Sequence, residues 1–374
     1  MSTNNSTLQS MRSTSGEGSK KRPRRLWQHV ILVILIVAVV LLAIVGLLWQ
    51  FLVSPQLSCS QAANPARTGA VSEYCLPGYG ENYAAMTVGS DGNLWYTDGD
   101  KIGRITTKGV ITEFAVPYPS TAIPKPGIAS GQDGNLWYIS GTKLGRISPQ
   151  GRFIGAVSMP AGVWYITGLT ATRNGTIWVG LAIGVDETDQ LTRELARVTA
   201  TGQVIPVALP EAVAPTGGLV AGEDGNLWVA ATDTSIGQIT PSGRFAEFQV
   251  AITQPPLVQL TPGLDGNIWF IDSGGVVGRI TPKGAVTLFP IAEQANVGPT
   301  SIGSGPDGNI WFSTGSNFIT RITPSGVTTQ FTLPQAGNVT SITAGSDGSV
   351  WFVQVPSNVM PFFVFVTRIV RITP

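Results

Sequence analysis

Two aspartates, Asp98 and Asp272, each stand three residues after a tryptophan, Trp95 and Trp269. A carboxylate can serve as a general base, although near neutral pH it is a weaker match than imidazole unless its pKa is raised. Imidazole is almost missing: the one histidine is His29, far from either aspartate in sequence. A second acidic group, Asp186, Glu187 and Asp189, offers hard oxygen donors of the kind that hold Mg²⁺ or Ca²⁺. Its spacing lacks the glycine and distal glutamate of a calcium loop, so a solvated acidic loop is the competing reading. Aromatic side chains at Tyr79, Tyr83, Tyr118, Trp164 and Tyr165 accompany carboxylates at Glu81, Asp98, Asp100, Asp233 and Asp272. Together they would suit a cyclic peptide, a sugar or a cationic ligand. Taken singly, residues of these types are more often packing or solvated surface.

The elements that must carry these groups repeat. Seven of the ten tryptophans fall at Trp95, Trp137, Trp178, Trp228, Trp269, Trp311 and Trp351, at gaps of 42, 41, 50, 41, 42 and 40 residues. Before each lies a turn: Asp91-Gly92, with Asp133, Asp224, Asp265, Asp307 and Asp347 in the same role and Asn174-Gly175 in the third unit. Asp-Gly between apolar runs is a hairpin signal, because glycine takes positive φ without a Cβ clash. Six copies at one turn position have a structural cause, and these aspartates are not catalytic candidates. After each tryptophan comes a run such as Ile102-Gly103-Arg104-Ile105, with Arg146, Arg197, Arg279, Arg321 and Arg371 in the place of Arg104 and Gln238 in the fourth unit. Each unit is then four short strands, A to D, with the tryptophan on B and the arginine on C. A period near 40 residues with four strands is one propeller blade, so the fold class is all-β, a seven-bladed β-propeller.

The seventh unit ends at Pro374, after strand C. Its missing D strand matches residues 69–77, where Gly69 to Pro77 parallels Gly109 to Pro117. Pairing of 69–77 with the C-terminal strand would close the ring and remove two sheet edges.

Ahead of the propeller, Val30 to Leu48 is apolar throughout except for Gly46, and Trp27 and Trp49 bracket it. That length suffices for a membrane-spanning helix, here 26–53. The cluster Lys20, Lys21, Arg22, Arg24 and Arg25 lies just before it, which keeps the N-terminus cytoplasmic and the propeller outside the cell. Residues 1–25 read as a disordered basic tail, 54–68 as a stalk and 69–374 as the propeller. Past the apolar run the chain holds 17 basic and 21 acidic residues, which argues against nucleic acid as a partner. The two cysteines, Cys59 and Cys75, both lie on the outer side and read as a disulfide.

The phrase Gly-x-Asp-Gly-Asn-Leu/Ile-Trp-Phe/Tyr, then Gly-Arg-Ile-Thr-Pro-x-Gly, then Phe-x-x-Pro, resembles the streptogramin lyase (virginiamycin B lyase) family over about residues 69–374. The resemblance implies a magnesium-dependent lyase that linearises cyclic depsipeptides by β-elimination. A base takes the proton beside the carbonyl, and the metal stabilises the developing enolate charge. In that family histidines at the mouth of the ring carry the proton, and glutamates hold the metal. No family histidine can be placed on this propeller. The family's frequent glutamate, two residues past the aromatic after the tryptophan, falls here on Asp98, Ser140, Leu181, Ala231, Asp272, Thr314 and Gln354.

Propeller geometry puts the A–B and C–D turns on one face and the B–C and D–A connections on the other, where ligands usually bind. Irregularity concentrates in the second set: 180–195 in the third unit and 355–366 in the seventh are insertions. Variable connections on a rigid ring are where function is usually placed. The reading is a membrane-tethered propeller that binds a small cyclic or peptide ligand or another surface protein. The alternative is a metal-dependent carbon–oxygen lyase or lactonase with a carboxylate base, Asp98 or Asp272.

Overall fold

Each Asp-Gly turn closes on itself through its own side chain. In the computed structural model of the chain, Asp91 Oδ1 accepts from the Asn93 N–H at 3.1 Å and from the indole Nε1 of Trp95 at 3.1 Å. Its Oδ2 accepts from Asn93 Nδ2 at 2.8 Å. Gly92 takes φ 74°, the left-handed conformation that favours glycine. Gly89 has no room for a side chain, since a Cβ there would lie 2.6 Å from Asp91 Oδ1. The recurring phrase is therefore a sequence-local hydrogen-bonded turn that seats a tryptophan. The same acceptor roles recur at Asp224, Asp265 and Asp307.

The structure describes residues 32–45, 69–76, 85–117, 127–185, 190–210, 213, 217–252, 256–291, 300–314, 317–355 and 367–374. The chain divides into two units, 1–55 and 56–374.

The larger unit contains seven four-stranded antiparallel sheets, each in A-B-C-D order. The first runs Met86–Val88, Leu94–Asp98, Lys101–Ile105 and Ile111–Ala115, and the other five uninterrupted blades repeat that scheme. The seventh is completed from the far end of the domain. Val71–Cys75 pairs antiparallel with Arg368–Ile372, in the register Val71↔Ile372 to Cys75↔Arg368. The Gly69 N–H donates to Thr373 O at 2.7 Å and the Leu76 N–H to Thr367 O at 3.0 Å, extending the seam at both ends. The A strands contact their neighbours all round the ring, including the first against the seventh, so the wheel is closed.

Burial explains the periodic aromatics. Trp95, Trp228, Trp269, Trp311 and Trp351 are wholly buried between blades. Repeat tryptophans stack on D-strand rings, Trp95 on Phe114 at 5.5 Å and Trp351 on Tyr74 at 5.6 Å among them. Such pairs add about 0.5–1.5 kcal/mol beyond the area they bury. The C-strand arginine covers the indole, Arg104 at 5.6 Å from the Trp95 ring, and reaches the next blade through Pro149 O at 3.0 Å. Gly103 is glycine because the Tyr96 ring lies over it, where any Cβ would collide.

The smaller unit contains a helix over residues 32–45, with exposed apolar side chains. At 1.5 Å per residue it is about 21 Å long, short of the ~30 Å hydrocarbon core. Among the described residues no helix is long and apolar enough to cross a membrane. The helix expected over 26–53 is thus described only in its middle, and the tail 1–25 and the stalk 54–68 lie outside the described residues. Cys75 is disulfide-bonded. Cys59, the other cysteine of the chain, lies outside the described residues.

Candidate functional site

Strand B ends at the face that carries the B–C and D–A connections, and the position three residues after its tryptophan lies toward that end. That position is mostly buried: Ser140, Leu181, Ala231, Asp272 and Gln354 are all 5% exposed or less. Strand B is the second strand from the axis, so its end is covered by the neighbouring blade and by its own B–C turn. Asp98, in the first blade, is half-buried.

Asp272 has a defined task. Its Oδ1 accepts from the Gly274 N–H at 2.9 Å and the Val276 N–H at 2.8 Å, which ties down the turn that follows. Its Oδ2 is buried and has no hydrogen-bond partner. A carboxylate locked this way, with no exposure, is placed to hold a turn rather than to meet a substrate. Asp98 and Asp272 belong to the first and fifth blades, which are not neighbours in the ring, so the two do not form a pair.

Among the described residues, the first blade gathers several charges on this face. Lys101 Nζ donates to Glu113 Oε2 at 2.8 Å, and Asp98 lies opposite Lys101 in the strand register. The hydrogen bond to Glu113 and then its charge raise the Lys101 pKa, with Asp100 and Asp98 adding to the effect. Tyr96 lies beneath, its hydroxyl buried and without a hydrogen-bond partner. Burial, then the charges of Glu113 and Asp98, push its pKa well up, so the phenol stays protonated. Asp100 is exposed. The sequence reading missed Glu113. The usable signal was its place opposite Gly103 on strand D, where the missing side chain of strand C leaves Tyr96 and Glu113 on one row.

The third blade departs most from the repeat. Its A, B and C strands, Val163–Ala171, Ile177–Val185 and Gln190–Val198, are nine residues each. The 180–195 insertion is largely a lengthened ladder and not a loop, with Leu181↔Glu194 and Val185↔Gln190 still in register. Asp186, Glu187 and Asp189 lie outside the described residues, as do Tyr79, Glu81, Tyr83, Tyr118 and most of 355–366. Trp164 stands on the lengthened A strand with 59% of its surface exposed, its indole lying over Gly184. Beside it Tyr165 is half-buried. Asp233 is exposed, and its carbonyl accepts from the Leu257 N–H at 3.1 Å, which joins the fourth blade to the fifth. Among the described residues, no three His, Cys, Asp or Glu side chains gather in a way that could hold a metal ion.

The model of the virginiamycin B lyase family matches residues 55–183 and 185–363. The chain belongs to that family. A streptogramin B lyase structure is 27% identical with a TM-score of 0.66, over 81% of this chain and 97% of that one. The virginiamycin B lyase from Staphylococcus aureus is 26% identical with a TM-score of 0.66, over 81% and 99%. A catalytically inactive histidine-to-alanine form of the S. aureus enzyme, with quinupristin, is 25% identical with a TM-score of 0.65, over 81% and 99%. No curated protein matches the sequence. The expected family is thereby shown, along with its fold.

Proposed function

We propose that this member of the virginiamycin B lyase family is a recognition propeller rather than a lyase. It would take a small cyclic or peptide ligand, or another surface protein, on its B–C and D–A face. The observation that carries the reading is an exposed indole, Trp164, on a ring whose sequence from residue 56 onward contains no histidine. The S. aureus enzyme is catalytically inactive in a form that has lost one histidine. A rigid aromatic standing out of an irregular blade is a binding feature in its own right, since it offers contact area at little entropic cost. The acidic rim of the first blade, Asp98, Asp100 and Glu113 around the single Lys101, favours a ligand with cationic character.

We further propose that residues 26–53 hold the protein in the cell membrane, with the basic N-terminus inside and the propeller outside. The support is the apolar run from Val30 to Leu48 and the basic cluster before it.

A second reading, a Mg²⁺-dependent carbon–oxygen lyase or lactonase with a carboxylate base, draws on family membership and on the half-buried Asp98. One experiment separates the two. The purified chain is titrated calorimetrically with a streptogramin B depsipeptide, and ring opening in the presence of Mg²⁺ is followed by chromatography, because elimination leaves the mass unchanged. Recognition predicts binding that weakens by about tenfold or more in Trp164→Ala, with the ring intact. Mg²⁺-dependent ring opening that is lost in Asp98→Ala would decide for the lyase.

A further inference from the structure

On the opposite face, where the A–B and C–D turns lie, the repeat breaks at one blade. Six blades carry aspartate in the turn, and in five of them the C-strand arginine sits within 4.0 Å of it: Arg104, Arg146, Arg279, Arg321 and Arg371. In the fourth blade Gln238 replaces the arginine and still donates to Asp224 Oδ2 at 3.1 Å. The third blade keeps the arginine, Arg197, and loses the aspartate to Asn174. The Asn174 side chain spends its oxygen on the Thr176 N–H at 3.1 Å and on the Thr172 hydroxyl at 2.7 Å. Arg197 is exposed and, among the described residues, has no carboxylate partner.

A second break lies beside the first. The D-strand aromatic of one blade packs under the C–D turn glycine of the next, as Phe114 does at Gly151, Phe248 at Gly284 and Phe289 at Gly326. The second blade has Val157 in that role, and a Cβ on Gly202 of the third blade would meet it at 3.2 Å. The seam between the second and third blades thus carries an aliphatic side chain where those other seams carry a ring. A cleft of ≈ 610 Å³ opens there, lined by Asp133, Trp137, Thr176, Arg197, Thr199 and Ile205 among others. Asp133 is already neutralised, with Arg146 Nη2 2.6 Å from its Oδ2. Burial works to raise the Asp133 pKa, but Asn135 and Arg146 outweigh it and hold the carboxyl below its ordinary range. The charge left over in the cleft is therefore that of Arg197.

We propose that this cleft is a second binding site, for a small carboxylate ligand with an apolar body. The Arg197 guanidinium takes the carboxylate in a two-point hydrogen-bonded pair, standing in for the aspartate that the other blades supply. The hydroxyls of Thr176 and Thr199 are the neighbouring donors, and Trp137 and Ile205 receive the apolar body. A planar guanidinium without its counterion, at the mouth of a cleft with an apolar floor, matches that chemistry and not that of a cation or a neutral sugar. The site is on the face away from Trp164, so it does not depend on the reading of the ligand face.

The test uses the whole chain with 3-phenylpropionate as probe, 3-phenylpropanol as its neutral counterpart and inorganic phosphate as an anion without an apolar body. Calorimetric titration and melting temperature are measured for wild type, Arg197→Gln and Asn174→Asp. Phenylpropionate should bind the wild type with a dissociation constant of about 1 mM or tighter and raise its melting temperature. Both substitutions should weaken binding about tenfold to a hundredfold, the first by removing the cation and the second by restoring its internal partner. Arg197→Gln should melt close to the wild type, since among the described residues the guanidinium takes part in no hydrogen bond or ion pair, and that separates a binding defect from a folding defect. Phenylpropanol and phosphate should bind more weakly than phenylpropionate. The proposal is overturned by equal binding in wild type and either variant, by equal binding of the alcohol or of phosphate, or by no binding of phenylpropionate at millimolar concentration.

Discussion

At the scale of single residues, one carboxylate type does three different jobs in this chain, and surroundings decide which. The turn aspartates each hold a glycine-containing bend and an indole. Asp272 holds a B–C turn from within the core, with both of its accepted bonds coming from backbone N–H groups. Asp98, at the equivalent place in the first blade, is half-buried among charges. For Asp272 the expected consequence is structural. Asp272→Ala should lower the unfolding free energy by about 1–3 kcal/mol, because the buried Val276 N–H loses its acceptor and the Gly274 N–H at the turn is released. Asp272→Asn keeps the acceptor and should lose less. Denaturant unfolding measures both, and an alanine variant as stable as wild type would show that the turn holds without this side chain.

At the scale of elements, the ring-closing strand Val71–Cys75 has an unusual burden. Glu73 is 4% exposed on the seam, and its Oε1 has no hydrogen-bond partner. Burial pushes its carboxyl above the ordinary range, and the Arg368 guanidinium on the paired strand offsets part of that. A carboxyl whose pKa is raised on folding binds its proton more tightly in the native state. Its contribution is complete below the unfolded value and is lost as pH rises through the folded one. Glu73→Gln is neutral throughout, so it should melt above wild type at about pH 7, with the gap narrowing toward about pH 4. A variant that melts below wild type at neutral pH would show that the ionised carboxylate stabilises the seam. The first blade places Glu113 at the same strand position but pairs it with Lys101 on its own sheet. In both blades Oε1 is buried without a hydrogen-bond partner, and only in the first does Oε2 meet a lysine.

At the scale of the whole molecule, closure and irregularity divide the work. The inner ring of A strands and the antiparallel pairing of Val71–Cys75 with Arg368–Ile372 make a rigid wheel. The departures from the repeat collect at the third blade, with its nine-residue strands, its exposed Trp164 and an Arg197 that has no carboxylate partner among the described residues. The proposed tether belongs to the other unit, residues 1–55. If residues 26–53 anchor the chain, their deletion should move the protein from the membrane fraction to the supernatant after carbonate extraction, with the propeller's melting unchanged. Full retention in the membrane fraction after deletion would remove that proposal.

The amino-acid order alone determined the blade count, the four strands per blade, the role of each Asp-Gly turn and the use of residues 69–77 to close the ring. It could do so because those features rest on contacts a few residues apart, repeated seven times, and on a strand missing from one end and present at the other. It also determined that no propeller residue is a histidine. Only the tertiary structure decided that Asp272 is sealed inside, that Asp98 and Asp272 lie on blades that do not touch, and that the third-blade insertion is a lengthened ladder. Asn174 and Arg197 were both visible as members of the repeat, yet nothing in their spacing says that one leaves the other without a partner. That follows from strands B and C lying side by side, and the cleft beside them follows from how the second and third blades meet. Burial and the meeting of separate blades depend on distances across the ring, which local order does not encode.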